Sequence, residues 1–162
     1  MIKLKTPLLV VFLLSIILGC SKEDTDTTLN GIYKSEDLKL IHNDSAKTWN
    51  LVGYYSRHPK TLHEQNDCYV DETYIFKPEG IVEVVPGSEN CYYGDSETSE
   101  AHYTFYDESG QMFLTMARKR VSGDMVSNMF FSLPLMELDE NRMLFAAGEK
   151  GDYGRTLIFE SE

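Results

Sequence analysis

The sequence predicts an all-β protein, a small antiparallel meander of about eight strands. Apolar and polar residues alternate with a period of two over most of the chain, and short clusters of turn residues separate the alternating runs. Long amphipathic helices are not indicated, and the best candidate for a helical turn is Lys60–Asp67. A meander of this size removes its exposed edges either by closing into a barrel or by folding into a sandwich.

The N-terminus differs in character from the rest of the chain. Lys3 and Lys5 precede the run Leu8–Gly19, which is apolar except for Ser15. As a helix this run would be roughly 18 Å long, too short for a hydrocarbon core that is ~30 Å thick. A basic start, a short apolar middle and a small residue before the cut are typical of a secretory signal peptide. Residues 1–19 are therefore predicted to be a signal peptide.

A lone cysteine follows that run. Ile17-Leu18-Gly19-Cys20 resembles the bacterial lipobox, in which the cysteine becomes the lipidated first residue of the mature chain. Residues 20–28 are polar and acidic, and they predict a flexible tether carrying a lipid at Cys20. The expected location is the cell envelope, as an outer-membrane lipoprotein whose lipid anchor is its contact with the membrane. Lys22-Glu23-Asp24 is similar to the signal that sends Bacteroidota lipoproteins to the outer face, but an ordinary solvated linker explains it equally well.

The strands of residues 29–162, a single domain by length, can be placed in order. The first strand is expected at Ile32–Ile41. The second is expected at Thr48–Tyr55, where Trp49, Leu51 and Tyr55 alternate with polar residues.

A hairpin is predicted where two β-rich runs flank Pro78, Glu79 and Gly80 in ETYIFKPEGIVEVV. Residues that face each other across a hairpin have numbers with a constant sum. A turn centred between Glu79 and Gly80 gives a sum of 159, and Cys68 and Cys91 have the same sum. These two cysteines are predicted to form a structural disulfide that closes the open end of the hairpin, in a compartment that permits disulfides. A redox or metal-binding pair would need a CxxC spacing or a nearby histidine cluster.

Further β-structure follows a polar loop expected at Gly87–Glu100. In AHYTFYDESGQMFLTMA, Asp107–Gly110 supplies the turn of a second hairpin. In NMFFSLPLMELDENRMLFAAG, Asp139–Asn141 supplies the turn of a third, and Pro134 marks a bulge or an edge. A last strand is expected at Arg155–Glu160.

Three segments together resemble a known family. LNGIYK is similar to the Gly-x-Trp opening strand of lipocalins, with Tyr33 where Trp is usual. CYVDETYIFKPEGIVEVVPGSENCY followed by AHYTFYDESGQMFLTM resembles the lipocalin-like domain family of Bacteroidota lipoproteins. The resemblance spans roughly residues 29–160 and departs from the family pattern at Tyr33 and at His102-Tyr103. It implies a lipocalin-like β-barrel domain over residues 29–162, closed rather than folded as a sandwich.

The charge of the chain excludes two classes of partner. Loss of Lys3 and Lys5 with the signal peptide takes the formal net charge from −11 to −13. A surface of that sign repels nucleic-acid phosphates and anionic lipid headgroups.

The expected function is non-catalytic binding of a small hydrophobic ligand, because an eight-stranded barrel can hold one such molecule. Inward-facing aromatic and methionine side chains suit the lining of a pocket. The same side chains also suit a filled core, and this alternative stays open. In that case the barrel would be an interaction module that contacts a protein or a glycan at the surface. The ligand-binding candidates are Trp49, Tyr74, Phe76, Tyr103, Phe105, Met129 and Phe131.

No catalytic, metal or cofactor site is predicted. The chain lacks the Gly-x-Ser-x-Gly nucleophile elbow. His63-Glu64 is not followed by the second histidine of a zinc-protease motif, and His42 and His102 are isolated. The acidic loops around Asp95 and Glu149 lack EF-hand spacing and are expected to be solvated.

Overall fold

The computed structural model describes residues 29–57, 61–62, 69–89, 96–122 and 125–161. The predicted signal peptide, the lipidation site Cys20, the tether, and both Cys68 and Cys91 lie outside the described residues. Most of the helical turn predicted at Lys60–Asp67 also lies outside them, and Thr61–Leu62 is a short strand.

The described residues form ten strands and one short α-helix. The helix, α1, is Lys39–His42, and a single 3₁₀ turn, Ser35–Leu38, precedes it. The strands are β1 Leu29–Asn30, β2 Lys47–Arg57, β3 Thr61–Leu62, β4 Thr73–Phe76, β5 Ile81–Val85, β6 Ser96–Tyr106, β7 Gln111–Ser122, β8 Met125–Leu138, β9 Arg142–Glu149 and β10 Asp152–Ser161.

Eight of these strands close into a barrel. Strand β2 pairs with β4, and each strand from β4 to β10 pairs antiparallel with the next one along the chain. Strand β10 then pairs with β2 and completes the ring. The short strands β1 and β3 lie outside the ring, on β8 and β2. The predicted all-β meander closed into an eight-stranded barrel is confirmed.

The strand predicted at Ile32–Ile41 is wrong, because this segment forms the 3₁₀ turn and α1. The Lys34 backbone N–H donates to the Asp37 carboxylate (2.7 Å) and starts the turn, while Asn43, with φ 51°, ends the helix in the left-handed conformation. These local caps prevail over the apolar alternation of the segment, and they turn Ile41 inward, where it is fully buried.

Helix α1 covers one end of the barrel, which we call the base; the opposite end, where β2 ends and β4 begins, is the mouth. The Trp49 indole donates to the Ile41 carbonyl (2.8 Å). Lys47 Nζ donates to the Leu40 carbonyl (3.1 Å) and lies 4.3 Å from the centre of the Trp49 ring. The side chains at the start of β2 thus attach the helix to the barrel.

The β4–β5 hairpin turns at Pro78, Glu79 and Gly80, as predicted, but its register is shifted by one residue. Thr73 faces Val85, so the constant sum is 158 and the turn is centred on Glu79. Gly80 has a φ of 82°, and a Cβ there would lie 2.5 Å from the Tyr103 carbonyl oxygen. A side chain at this position would therefore strain the turn and also collide with β6.

One strand boundary and one side-chain direction also differ from the predictions. The polar loop expected to reach Glu100 ends earlier, because Ser96–Glu100 belongs to β6 and pairs with β7. Tyr55 was predicted on the same face as Trp49, but an irregularity in the β2–β10 pairing leaves Val52 exposed and turns Tyr54 inward instead. The predicted turns at Asp107–Gly110 and Asp139–Asn141 are confirmed.

Pro134 and the last strand are also close to expectation. Pro134 forms the final pair of β8 with β7, and the β8–β9 register shifts immediately afterwards, between Leu135 and Glu137. The last strand, Asp152–Ser161, contains the predicted Arg155–Glu160.

We expect acidification below the ordinary histidine pKa of 6.5 to destabilise the base through His42. Burial lowers the pKa of His42, and its Nδ1 accepts a hydrogen bond from the Asp44 N–H (3.1 Å), which protonation would break. The unfolded state then binds the proton more tightly, so stability is lost as the pH falls from 6.5 toward the lowered folded-state pKa. His42→Asn keeps an acceptor near the Nδ1 position and does not titrate. The thermal midpoint of the variant should fall less than that of the wild type between pH 7.5 and 5.5; equal falls would contradict the prediction.

Candidate functional site

The base half of the barrel is a filled core. Phe159 on β10 is fully buried, with its ring centre 5.2 Å from that of Tyr74 and 5.9 Å from those of Phe76 and Phe145, each in an edge-on arrangement. Aliphatic and methionine side chains surround these rings. The largest fully buried residues are Trp49, Tyr74, Phe76, Phe145, Phe159, Ile41, Leu51, Met112, Leu114, Leu135, Leu138 and Met143.

Most of the predicted ligand-binding residues lie in this filled half. Trp49, Tyr74 and Phe76 are fully buried, and Tyr103, at 5% exposure, stacks on Phe76 with ring centres 6.0 Å apart. Phe105 is half-buried and packs against the same core. The Met129 side chain is not described. The positions of these five aromatic residues agree with the alternative of a filled core, and their binding of a ligand stays a prediction.

Phe131 lies in a different place, at the mouth. Its ring centre is 6.5 Å from that of Tyr54 and 6.3 Å from that of Tyr69. Tyr54 and Tyr69 stack on each other, with ring centres 5.0 Å apart and an interplanar angle of 10°. We call these three residues the mouth triad. Tyr69 and Phe131 are buried and belong to the same apolar cluster as the base, and Tyr54 is half-buried against it.

A buried ionic cluster lies beside the mouth triad. The Arg118 guanidinium donates to Glu72 (2.5 Å) and to Glu97 (2.9 Å), and all three side chains are at most 5% exposed. It also lies 4.4 Å from the centre of the Tyr69 ring. Ser99 donates to Glu72 (2.7 Å). Strands β6 and β7 and the residue before β4 therefore bring a cation and two carboxylates together in the barrel interior.

Contacts within the cluster shift the pKa values of Arg118 and of the neighbouring Tyr74. Burial alone would lower the pKa of Arg118, but the hydrogen bond to Glu97 and the charge of Glu72 outweigh it, so the pKa is raised. Burial also raises the pKa of Tyr74 well above its usual value, and Glu72, which accepts a hydrogen bond from the Tyr74 hydroxyl (2.8 Å), raises it further. Arg118 stays charged, and Tyr74 stays neutral, over the physiological range.

A second arginine, Arg155, points inward at the mouth from β10. Leu157 and Phe159, two and four residues further along β10, point to the same side and lie in the core. A register shift between Tyr153 and Thr156 turns Arg155 to this inner side. The Arg155 guanidinium lies 4.8 Å from the centre of the Phe131 ring. Its Nε is buried with no hydrogen-bond partner.

The barrel wall opens next to the ionic cluster. Strands β5 and β6 pair only at Ile81–His102 and Val82–Ala101. Continued pairing would place Glu83 directly opposite Glu100, and facing like charges disfavour it. Beyond this point the strands enclose a cleft of about 210 Å³, and Arg118 is part of its lining together with Glu72, Val84, Pro86, Gly87, Glu89, Glu97, Thr98 and Ser99.

Sequence reasoning missed the charged residues of the mouth. Arg118 and Arg155 both lie at strand positions whose side chains point into the barrel. Their strands were identified from the apolar residues at the alternating positions. Every second residue of β7 from Met112 to Arg118 is buried, the others being Leu114 and Met116. This alternation alone was enough to place Arg118 on the inner face of the strand. Glu97 was assigned to a solvated acidic loop, and its partner could be identified only from the pairing of β6 with β7.

Within the described residues, no group of three or more His, Cys, Asp or Glu side chains is arranged to hold a metal ion. None of the helices in the described ranges combines the length and the apolar character needed to cross a bilayer.

Comparisons with protein-family models, curated proteins and solved structures give no match.

Described residues near the two remaining cysteines contact each other, and the bridge between Cys68 and Cys91 stays a prediction. The Glu89 N–H donates to the Asp71 carboxylate (2.7 Å), and Gly87 packs so closely on Asp71 that a Cβ would lie 2.1 Å from it. Asp71, three residues after Cys68, and Glu89, two residues before Cys91, are therefore in contact.

We expect Cys68 and Cys91 to resist alkylation in the unfolded protein until a reductant is added. Reduction should cost about 3 kcal/mol of unfolding free energy, because the bridge restricts the unfolded chain. Mass spectrometry of alkylated peptides, and urea unfolding with and without reductant, measure the two effects. The Cys68→Ser/Cys91→Ser double variant is the control and should not respond to reductant. Alkylation of both thiols before reduction would exclude the bridge.

Proposed function

We propose that this chain is a lipid-anchored lipoprotein of the cell envelope whose lipocalin-like barrel binds a small, largely apolar molecule at its mouth without catalysis. The observation that carries the proposal is the contrast between the two ends of the barrel. The base is covered by α1 and filled with fully buried side chains. The mouth carries three aromatic rings between two arginines and adjoins a cleft in the wall.

Binding fits the chemistry of the mouth better than catalysis. Arg118 is engaged by two carboxylates, and an arginine does not exchange its proton at physiological pH. The cluster is suited to holding the residue before β4 and the strands β6 and β7 together rather than to transferring protons. Aromatic rings beside fixed charges bind the apolar body of a ligand and orient its polar groups.

The proposed location rests on the N-terminal sequence. A lipid on Cys20 would hold the barrel at the membrane, and residues 20–28 would separate the two. A ligand passing between the membrane and the barrel would then travel only the length of this tether.

Native mass spectrometry of the protein purified from its own envelope in a mild detergent tests the proposal. We expect a polypeptide that begins at Cys20 and carries acyl chains, together with a fraction of molecules that retain a small compound. The retained compound should leave when the protein is unfolded. An unmodified N-terminus would contradict the anchor, and a mass without any retained compound, from several preparations, would contradict carriage.

A second function, contact with a glycan or a protein, is favoured by the outer face of β6, β7 and β8. Tyr106 and Phe130 are 53% and 65% exposed there, and Tyr106 packs edge-on against Phe113 with ring centres 5.8 Å apart. A groove of about 470 Å³ on this face is lined by uncharged residues, Thr104, Tyr106, Ser109, Gln111, Phe113, Thr115 and Ser132. Aromatic faces and hydroxyl groups are suited to a neutral sugar.

Binding to immobilised glycans separates the two functions. If the outer face is the binding surface, Phe113→Ala should abolish glycan binding, whereas changes in the mouth triad should not affect it. If the mouth is the site, no glycan should bind, and Phe131→Ala should reduce retention of the small compound.

A further inference from the structure

We propose that the ligand of the mouth is a carboxylate on an aromatic or apolar body, and that Arg155 is the residue that binds its charged group. This inference rests on the proposed binding at the mouth and adds the chemical class of the ligand. Its starting point is an inward-facing cation that the described part of the protein leaves without a counterion.

Among the described residues, the Arg155 guanidinium contacts the face of Phe131, 4.8 Å from the ring centre. Among the described residues no carboxylate forms an ion pair with it, and its Nε is buried without a hydrogen-bond partner. A buried guanidinium N–H that has lost water and gained no acceptor is unfavourable. The residue remains partly exposed, so a molecule that enters through the mouth can reach it.

Arg118 shows what a structural arginine looks like in the same barrel. It is 3% exposed and holds two glutamates, at 2.5 Å and 2.9 Å. The Nε atom of each arginine is buried without a hydrogen-bond acceptor, so the two residues differ in their counterions rather than at Nε. Carboxylates are not scarce in this chain, which has 26 acidic residues and 15 basic ones. A purely structural role for Arg155 would be expected to use one of them. The absence of such a partner, among the residues that can be described, leaves an acceptor position for a ligand.

The backbone also places Arg155 where a ligand would be bound. The irregularity in β10 between Tyr153 and Thr156 lets Tyr153 pack outside the ring with Leu144 while Arg155 faces inward. Bulges commonly re-aim a side chain in this way next to functional sites.

The surroundings of Arg155 define the rest of the ligand. A guanidinium presents paired N–H groups that match the two oxygens of a carboxylate. Tyr54 beside it is the half-buried member of the mouth triad, whereas Tyr69 and Phe131 are 6% and 7% exposed, so an aromatic or apolar body would pack at the edge of the triad. An inorganic anion would gain nothing from these rings. The combination therefore selects an organic carboxylate.

Two probes that differ only in charge test the assignment: naphthalene-2-carboxylate and its neutral analogue naphthalene-2-carboxamide. Calorimetric titration uses the full-length protein in one non-ionic detergent, so that partition into micelles is common to all variants. We expect the carboxylate to bind the wild type at least about tenfold more tightly than the carboxamide, as a hydrogen bond to a charged group predicts. Arg155→Met should remove this preference and leave carboxamide binding unchanged, while Arg155→Lys should retain part of it.

The control variant is Arg142→Met, which removes an arginine that pairs with Glu137 at the base. It should bind both probes as the wild type does. The thermal midpoint gives a second measurement: Arg155→Met should leave it unchanged or raise it, because an unpartnered charge is removed.

The possible failures are distinguishable. Equal binding of the two probes, unaffected by Arg155→Met, would overturn the carboxylate assignment and leave the proposed binding at the mouth intact. A clear fall in the midpoint of Arg155→Met with unchanged carboxylate affinity would show that the arginine is structural. If neither probe binds the wild type, the assignment is overturned, and the native mass measurement decides the proposed function independently.

Discussion

Replacing Arg118 by methionine is expected to destabilise the protein by about 3–5 kcal/mol, because the change leaves two buried carboxylates without a counterion. Glu72 and Glu97 are 4% and 5% exposed, so water in the adjoining cleft can compensate only a small part of the lost charge. Urea unfolding followed by the fluorescence of Trp49, the single tryptophan, measures the loss.

Two variants establish whether the loss comes from the unpaired charges. The triple variant Glu72→Gln/Glu97→Gln/Arg118→Met removes every charge of the cluster and should recover much of the stability. Arg142→Met breaks an ion pair whose arginine is 36% exposed, and it should cost within about 1 kcal/mol. A loss below about 1 kcal/mol for Arg118→Met alone would mean that the cluster is open to water.

The ring of strands could be predicted because its signals are local. Period-two alternation, and turn residues such as those at Asp107–Gly110, identify strands and hairpins without knowledge of distant contacts. Short connections then make neighbours in sequence neighbours in space. These signals left a barrel and a sandwich both open; the resemblance to a lipocalin-like family implied closure, and the pairing of β10 with β2 confirms it.

The prediction errors have two causes. A single extra residue in a strand reverses the directions of the side chains after it, and local capping can favour a helical turn over a strand. An irregularity beside Val52 exchanges the directions of Tyr54 and Tyr55, and alternation alone cannot locate it. The segment Ile32–Ile41 alternates like a strand but is capped as a helical turn by Asp37 and Asn43. Register in the β4–β5 hairpin depended on whether the turn is centred on Glu79 or after it.

The mouth was harder to predict than the fold, because its chemistry depends on pairings between distant segments. Glu72 and Arg118 are separated by 46 positions in the chain, and the sequence alone offers many other acidic partners for that arginine. The aromatic candidates were easier to identify as inward-facing, but most of them lie in the filled base rather than at the mouth. Aromatic residues occupy both ends of the barrel, so residue type could not separate core from site.

Truncating Phe159 to alanine is expected to cost about 3–5 kcal/mol, because the change removes the ring at the centre of the base. Phe159 contacts the rings of Tyr74, Phe76 and Phe145, and each edge-on pair adds to the loss of buried apolar area. Thermal or urea unfolding measures the effect. Phe159→Leu keeps most of the buried volume and should cost less than about half as much.

The same variant separates the base from the mouth. Phe159→Ala leaves an apolar cavity lined by buried side chains, which should stay dry and take up a small apolar molecule such as benzene. Benzene should therefore raise the thermal midpoint of Phe159→Ala and not that of Phe159→Leu or the wild type. A wild-type protein that is stabilised equally by benzene would already hold an apolar cavity, and the view of the base as a filled core would be wrong. Naphthalene-2-carboxylate should bind wild type and Phe159→Leu alike, because its proposed site is at the other end of the barrel.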